Sequence, residues 1–458
     1  MDRNRPLVLV SNRGPVSFDL DAGGTPRARR GAGGLISGLG PLVRDTDAIW
    51  IAAAMTDGDR ALAGALTDAE GFRVLLLASP PDEFTLHYDA VCNTALWFTH
   101  HGLFDPVREP AWPGGWVETA WAAHRRVNDR FAAAVIDAAP ADAVVLVQDY
   151  HLCLVAEAVR AARPDLTLVH FSHTPFAPPV WLRMLPATAR RELLAGLAAH
   201  HACGFHSPRW EADFLASAAA VGVDAPATFV SPLGPDPDDL AATAASPDFA
   251  EAFAAIDGRT GDRRLLVRVD RIELSKNLAR GFDAYDLLLA RRRDLRERVV
   301  FAAHVYPSRA GVAAYDAHRR EVEDRVRAIN ERWATEGWMP IAWDGDDHYP
   351  TSMAALARAD VVLVNPIRDG LNLVAKEAVI LNHRDAQLVL SPEAGAWDEL
   401  GDHAWRAEPF DVGQTADALA AALDAPPPEA ATRHAALRAA ALARTPADWL
   451  QDQLAAAR

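Results

Sequence analysis

Val361-Val362-Leu363-Val364 runs into Asn365-Pro366-Ile367-Arg368-Asp369-Gly370-Leu371-Asn372 and then into Leu373-Val374-Ala375-Lys376-Glu377. Four successive apolar, mostly β-branched residues read as a strand buried on both faces. Asp-Gly-Leu-Asn is then a turn that opens a helix, which leaves the N–H groups of Leu371 to Leu373 without partners inside that helix. A strand feeding a helix through a polar turn is the repeating unit of an open α/β sheet, where ligands bind at the carboxyl ends of strands. Glu377 lies eight residues beyond Asp369. A carboxylate there could accept hydrogen bonds from two vicinal hydroxyls such as those of a ribose.

The same unit recurs outward along the chain. Apolar runs at Leu7–Val10, Ala48–Ala52, Phe72–Leu77, Ala143–Val147, Leu166–Phe171 and Ala227–Val230 form one series. Leu265–Val269, Val299–Ala303, Pro340–Trp343, Val361–Val364 and Gln387–Leu390 form a second. Each is followed by an Ala/Arg/Glu-rich stretch of helical spacing, so two doubly wound α/β domains are expected. The densest Pro/Gly punctuation, Ser231-Pro232-Leu233-Gly234-Pro235-Asp236-Pro237, sets the boundary, giving domains 1–233 and 234–458. After Pro426-Pro427-Pro428, a final helix from about 432 to 458 has room to pack back on the first domain.

A chain of 458 residues, half of them hydrophobic and 24% charged, has the balance of a globular protein, which excludes disorder and collagen-like repeats. Its net charge of −16 speaks against a nucleic-acid surface, since phosphate-backbone affinity needs clustered Lys and Arg. Cys92, Cys153 and Cys203 are too far apart for C-x-x-C metal or redox spacing, and such sparse cysteines suit a reducing cytosol. The first apolar run, four residues long, is too short for a signal peptide, and charged residues interrupt every longer one. A cytoplasmic protein without membrane partners is expected.

The strand ends supply the candidate chemistry. Ser11-Asn12-Arg13-Gly14-Pro15 follows the first run, and Gly31-Ala32-Gly33-Gly34-Leu35 opens a helix where backbone N–H groups could approach an anion. A plain surface turn fits that glycine run equally well. Gln148-Asp149-Tyr150-His151 and His173-Thr174-Pro175-Phe176 follow two further strands, with a helix cap and a core histidine as their structural alternatives. Arg271 and Lys276, five residues apart in Arg271-Ile272-Glu273-Leu274-Ser275-Lys276-Asn277, could neutralise a diphosphate leaving group or simply be solvated cations.

Taken together, these segments resemble the trehalose-6-phosphate synthases, retaining glycosyltransferases of the GT-B fold. The match runs through SNR at Ser11–Arg13, GGL at Gly33–Leu35, DYH at Asp149–His151 and H-x-P-F at His173–Phe176. It continues through R-(I/L)-x-x-S-K at Arg271–Lys276 and RDG-x-NLVAKE at Arg368–Glu377. The resemblance implies two Rossmann-like domains facing a central cleft, the first for the acceptor and the second for a nucleotide-glucose. It implies that Arg271 and Lys276, with the amides of Asn372 and Leu373, hold the donor diphosphate, and that Gly34 lies against it. Glu377 would bind the ribose, and His173 and Asp369 the donor-sugar hydroxyls. Arg13, Tyr88, Trp97 and Arg309 match the family's acceptor positions for glucose 6-phosphate, with Asp149 facing the acceptor sugar. Arg271, Lys276, Asp149 and His173 would then be the catalytic set. The family is thought to react on one sugar face, the departing phosphate oxygen taking the acceptor proton. No cofactor is implied, and a homo-oligomer is compatible with it.

Two departures matter. Glu273 and Asn277 stand where the family commonly has Asp and Gly. The expected base-binding loop reads Asp344-Gly345-Asp346-Asp347-His348, whose carboxylates could accept from guanine N1–H and its amine, so GDP-glucose is expected to compete with UDP-glucose. A D-x-D metal reading of that turn is the weaker one, because the Arg/Lys pair already supplies positive charge. Another phosphorylated acceptor, glycerol 3-phosphate or a cyclitol phosphate, and a non-catalytic sugar-nucleotide-binding protein are the competing readings.

Overall fold

The structure, a computed structural model, describes residues 5–31, 34–309 and 312–458. It divides into two compact units, Met1–Leu233 together with Pro446–Arg458, and Gly234–Thr445.

The first unit contains β1 (Leu7–Ser11), β2 (Val16–Leu20), β3 (Pro26–Arg30), β4 (Ile49–Ala53), β5 (Leu66–Ala69), β6 (Phe72–Leu77), β7 (Val144–Gln148), β8 (Thr167–Ser172), β9 (Ala202–Phe205) and β10 (Ala227–Val230). Eight of them form one sheet in the order β10-β9-β8-β7-β1-β4-β6-β5. Its pairings are parallel apart from β5 with β6. β2 and β3 form a separate antiparallel hairpin. Successive residues Val8, Leu9 and Val10 have no exposure, so both faces of the sheet are covered. Val8 and Val10 pack with Val127, Phe131 and Val135 of the helix Ala122–Ala138.

The second unit holds β11 (Arg264–Ile272), β12 (Val299–Pro307), β13 (Ile341–Asp344), β14 (Val361–Val364), β15 (Gln387–Leu390) and β16 (Trp405–Arg406). They form one parallel sheet, ordered β13-β12-β11-β14-β15-β16. Its core sets Phe282, Tyr285 and Leu289 of the helix Leu278–Arg291 against Phe301. Among the parallel strands of each unit the order reverses once, at β1 between β4 and β7 and at β11 between β12 and β14. Those reversals are the switch points where an open α/β sheet binds ligands.

Three expectations change. The final helix is two helices, Pro427–Ala441 in the second unit and Pro446–Ala456 in the first. Pro446 marks the restart, as proline suits a helix's first position but not its interior. β11 extends through Ile272, so Arg271 is a strand residue paired with Tyr306 rather than part of the following loop. The helix after β14 begins at Leu373 rather than at Leu371. No helix among the described residues is long and apolar enough to cross a membrane.

Candidate active site

In the second unit the switch point gathers the charged residues of two segments. Lys276 Nζ lies 2.6 Å from Asp369 Oδ2 and 3.7 Å from Asp270 Oδ1. Burial opposes the charge on Lys276, but the carboxylates of Asp369, Asp270 and Glu273 outweigh it and raise its pKa. Ile367 N–H donates to Ser275 O at 2.8 Å, tying the loop after β14 to the one after β11. Asn277 makes the turn from Lys276 into the helix Leu278–Arg291, with φ 61° and ψ 37°. Left-handed backbone is the conformation for which glycine is the usual choice and Asn the common substitute. The Asn277 amide also donates to Asn365 O at 3.0 Å and Pro409 O at 2.6 Å, so the departure at this position keeps the turn and adds two anchors.

Glu273 is the second departure, and it organises the cations. Fully buried, it pairs with Arg271 at 3.1 Å, approaches Arg309 Nε at 3.9 Å and accepts from Ser308 Oγ at 3.0 Å. Burial alone would raise its pKa, yet Arg271, Arg309 and Lys276 hold it at about 2. Arg309 also donates to Tyr315 OH at 2.8 Å. Arg271, Lys276 and Arg309 therefore sit in a charge-balanced cluster, spaced by Glu273, Asp270 and Asp369. Beneath it, the fully buried Arg268 donates to Asp270 at 2.9 Å, to Asn365 at 2.7 Å and to the Lys276 carbonyl. Sequence reading passed over Arg268 and Asp270, two charges at alternate positions of β11.

Asn372 caps the helix Leu373–Leu381 from a left-handed conformation, φ 74°, accepting from Ala375 N–H at 3.3 Å and donating to Asp369 at 3.1 Å. First-turn N–H groups thus begin at Leu373, next to the Lys276–Asp369 pair. A Cβ at Gly395 would overlap the Gly370 carbonyl, so glycine there lets the Asp369 loop lie close against its neighbour. Glu377, partly buried, has its pKa pushed up to about 7 by burial and by Asp239. Between pH 4.5 and 7 the folded chain therefore holds a proton that the unfolded chain loses, and stability falls as pH rises through that window. Glu377→Gln is expected to stabilise the chain at pH 8 by on the order of 1 kcal/mol. Thermal unfolding of both forms at pH 5 and pH 8 checks it, with the gain confined to pH 8.

Asp344 is not available as drawn from sequence. It pairs with His304 Nδ1 at 3.1 Å and accepts from Asp346 N–H at 3.1 Å, and the His304 hydrogen bond lowers its pKa. It closes its own turn, leaving the exposed Asp346 and Asp347 as the loop's outward carboxylates.

In the first unit Arg13, Asp149 and His173 again lie at strand ends, whereas Tyr88 and Trp97 lie in helices. Ser11 Oγ accepts from Trp50 Nε1 at 2.7 Å and donates to Arg13 O at 2.6 Å, which fixes the turn that presents the exposed Arg13. Arg13 donates to Tyr88 OH at 3.2 Å, and the Tyr88 ring stacks between Phe84 and His151 at 5.6 and 5.9 Å. Trp97 is buried against His101 with centroids 3.9 Å apart. Asp149 follows β7 with φ 71° and ψ 169°, a conformation that costs a non-glycine residue about 1–3 kcal/mol. The strain aims its carboxylate at the end of β8, where it accepts from His173 N–H at 3.2 Å.

Burial drives the His173 pKa down to about 3, so its imidazole is neutral. Its ring nitrogens contact Gln148 Oε1 at 3.0 Å and His206 Nε2 at 3.2 Å. Gln148 donates in turn to Gln453 of the helix Pro446–Ala456 at 3.0 Å, and Trp449 of that helix packs edge-on to His173. His206, Trp449 and Gln453 went unread because they are remote in sequence from His173. Gly34 opens the helix Gly34–Val43, and Gly33 lies outside the described residues.

Two doubly wound units with polar side chains at their switch points are the architecture of the GT-B glycosyltransferases. The sequence profile of glycosyltransferase family 20 matches residues 5–458, and the chain belongs to that family. It is 32% identical over 442 residues to the bifunctional trehalose-6-phosphate synthase/phosphatase of Thermoproteus tenax, covering 91% of this chain and 58% of that one. It is 32% identical over 469 residues to the trehalose-6-phosphate synthase of Mycobacterium sp. (strain JLS), covering 97% and 94%.

Among solved structures, the E. coli trehalose-6-phosphate protein bound with UDP-2-fluoro glucose aligns with a TM-score of 0.85, 25% identity and coverage of 99% and 98%. The UDP-forming α,α-trehalose-phosphate synthase of Burkholderia xenovorans in complex with glucose-6-phosphate aligns with a TM-score of 0.84, 26% identity and 99% coverage of both chains.

Proposed function

We propose that the chain transfers glucose, with retention, from UDP- or GDP-glucose to glucose 6-phosphate, giving trehalose 6-phosphate and the nucleoside diphosphate. The observation that carries this reading is the Lys276–Asp369–Asp270 cluster with Arg271 at the second unit's switch point, beside the N-terminus of the helix Leu373–Leu381. Breaking the C1–O bond to the β-phosphate puts negative charge on the departing oxygens. Fixed cations and aligned N–H groups stabilise that charge without having to reorganise. Arg271, Lys276 and the amides of Asn372 and Leu373 take the diphosphate, Glu377 the ribose, and Asp369 and His173 the donor sugar. Gly34 completes the donor set. The acceptor hydroxyl attacks C1 from the face the diphosphate leaves, and its proton passes to the leaving phosphate oxygen. Neither Asp149 nor Asp369 then needs to be a nucleophile.

The first unit takes the acceptor through Arg13, Tyr88, Trp97 and Asp149, and Arg309 is proposed for the acceptor phosphate. Support for glucose 6-phosphate comes from the Burkholderia xenovorans complex, and for a uridine donor from the E. coli one. Asp346 keeps a guanine donor in the reading, since its carboxylate faces outward. Three buried thiols suit a cytosolic location.

Initial rates with UDP- and GDP-glucose against glucose 6-phosphate, glycerol 3-phosphate and a cyclitol phosphate test the whole reading. An α,α-linked disaccharide phosphate formed only with glucose 6-phosphate is expected. Transfer confined to another acceptor, or binding without turnover, would overturn it.

A further inference from the structure

We infer that His87, Cys92 and His124 form a binding site for a thiophilic d10 metal ion, Zn²⁺ or Cu⁺. All three side chains are fully buried in the first unit, and their ligand atoms lie within 4.8 Å of one another. The two Nδ1 atoms are 3.0 Å apart, and Cys92 Sγ lies 3.7 Å from His124 Nδ1 and 3.9 Å from His87 Nδ1. A tetrahedral zinc with bonds of about 2.0–2.1 Å to nitrogen and 2.3 Å to sulfur has edges of about 3.3 Å between nitrogens and about 3.6 Å from nitrogen to sulfur. The nitrogen–nitrogen edge and the Sγ–His124 edge are within about 0.3 Å of those values. Cys92 Sγ lies 3.8 Å from His87 Nε2 as well as 3.9 Å from its Nδ1, so it rests beside the ring, and the Cys92 side chain turns toward the Nδ1 pair to complete the set.

The local fold makes this set. Leu86–Leu96 is a helix of the wide, i→i+5 kind. In an ordinary α-helix only residues three and four apart share a face, so the wider turn is what brings residues five apart together. His124 arrives from the helix Ala122–Ala138. One thiolate and two imidazoles suit soft cations, and a buried set must also limit its net charge. Cu⁺ with three ligands makes a neutral centre, whereas Zn²⁺ takes a water as its fourth ligand and leaves one positive charge. Loading is not a redox step. The ion replaces the proton of the Cys92 thiol, which leaves to solvent, and the proton shared between the two Nδ1 atoms moves to an Nε2. The segment so pinned carries Tyr88 and runs directly into Trp97, so ligation would also brace the acceptor aromatics.

Because the site is closed, the metal is best offered while the chain folds. The full chain is expressed in zinc- or copper-supplemented medium and purified for elemental analysis. A second sample is refolded with Co²⁺, which reports thiolate ligation by its near-ultraviolet charge-transfer band. One equivalent of metal per chain is expected, with that band displaced by Zn²⁺ if zinc is the ion, or copper uptake alone if Cu⁺ is. Cys92→Ala and His124→Ala should each lower occupancy at least tenfold, while Cys203→Ala retains it. Wild-type chain that carries no metal under both regimes would overturn the assignment, as would full occupancy in Cys92→Ala. The wild-type measurements decide the matter even where a variant fails to fold.

Discussion

Lys276→Ala is expected to lower the rate of sugar transfer by roughly 10²–10³-fold, the loss typical of removing one preorganised group that stabilises developing negative charge. The ammonium is held 2.6 Å from Asp369 on a chain that is largely buried. Its pKa is raised, so the charge is present throughout the working pH range. A cation fixed in this way does not have to be recruited as the diphosphate departs. Its effect should therefore fall on turnover more than on donor binding. Lys276→Arg should recover little, because a planar guanidinium cannot replace a compact point charge between Asp270 and Asp369. Steady-state release of nucleoside diphosphate, compared with donor affinity by calorimetry, separates the two effects. A rate within threefold of wild type in a folded variant would remove Lys276 from the mechanism.

That residue was legible before any coordinates, because a polar turn after an apolar run marks a strand end and strand ends bind ligands. The same rule found Arg13, Asp149, His173 and Asp369. It failed where an element lacks the pattern. β9 reads Ala-Cys-Gly-Phe, without a β-branched residue, and is a strand because Gly204 leaves room for the rings of Phe171 and Phe229. The hairpin of β2 and β3 is largely polar and pairs only with itself. Among the candidate site residues, those at strand ends sat in visible turns, whereas the side chains that hold them did not. His124 is 32 residues from Cys92, and Gln453 is 305 from Gln148, so only the packed chain shows that each pair meets. Asp344 shows the opposite error. The loop sequence suggested a ligand-facing carboxylate, but a buried imidazole on the neighbouring strand, His304 on β12, pairs with it.

Arg268→Met should destabilise the second unit by about 3–5 kcal/mol, the range for breaking a buried ion pair by removing one partner. Arg268 is wholly buried, and its three hydrogen-bonding partners are Asp270, Asn365 and the carbonyl of Lys276. Burial raises the Asp270 pKa, with Arg268 and Lys276 opposing the rise. Without the guanidinium, Asp270 would lose its nearest cation in a site closed to water, and the Lys276 loop would lose its anchor. The helix Leu278–Arg291 is shaped to this arginine, since a Cβ at Gly281 would overlap Arg268 Nη1. Gly281→Ala alone should therefore be costly, even though alanine is the better helix former by about 1 kcal/mol. In the Arg268→Met background the flexible thioether can yield to the new methyl, and the penalty should shrink or reverse. Asp270→Asn in the same background should recover part of the loss by removing the stranded charge. Urea unfolding of the four forms of the Arg268/Gly281 cycle measures the coupling directly. Additive effects within about 0.5 kcal/mol would mean that the glycine and the arginine are independent.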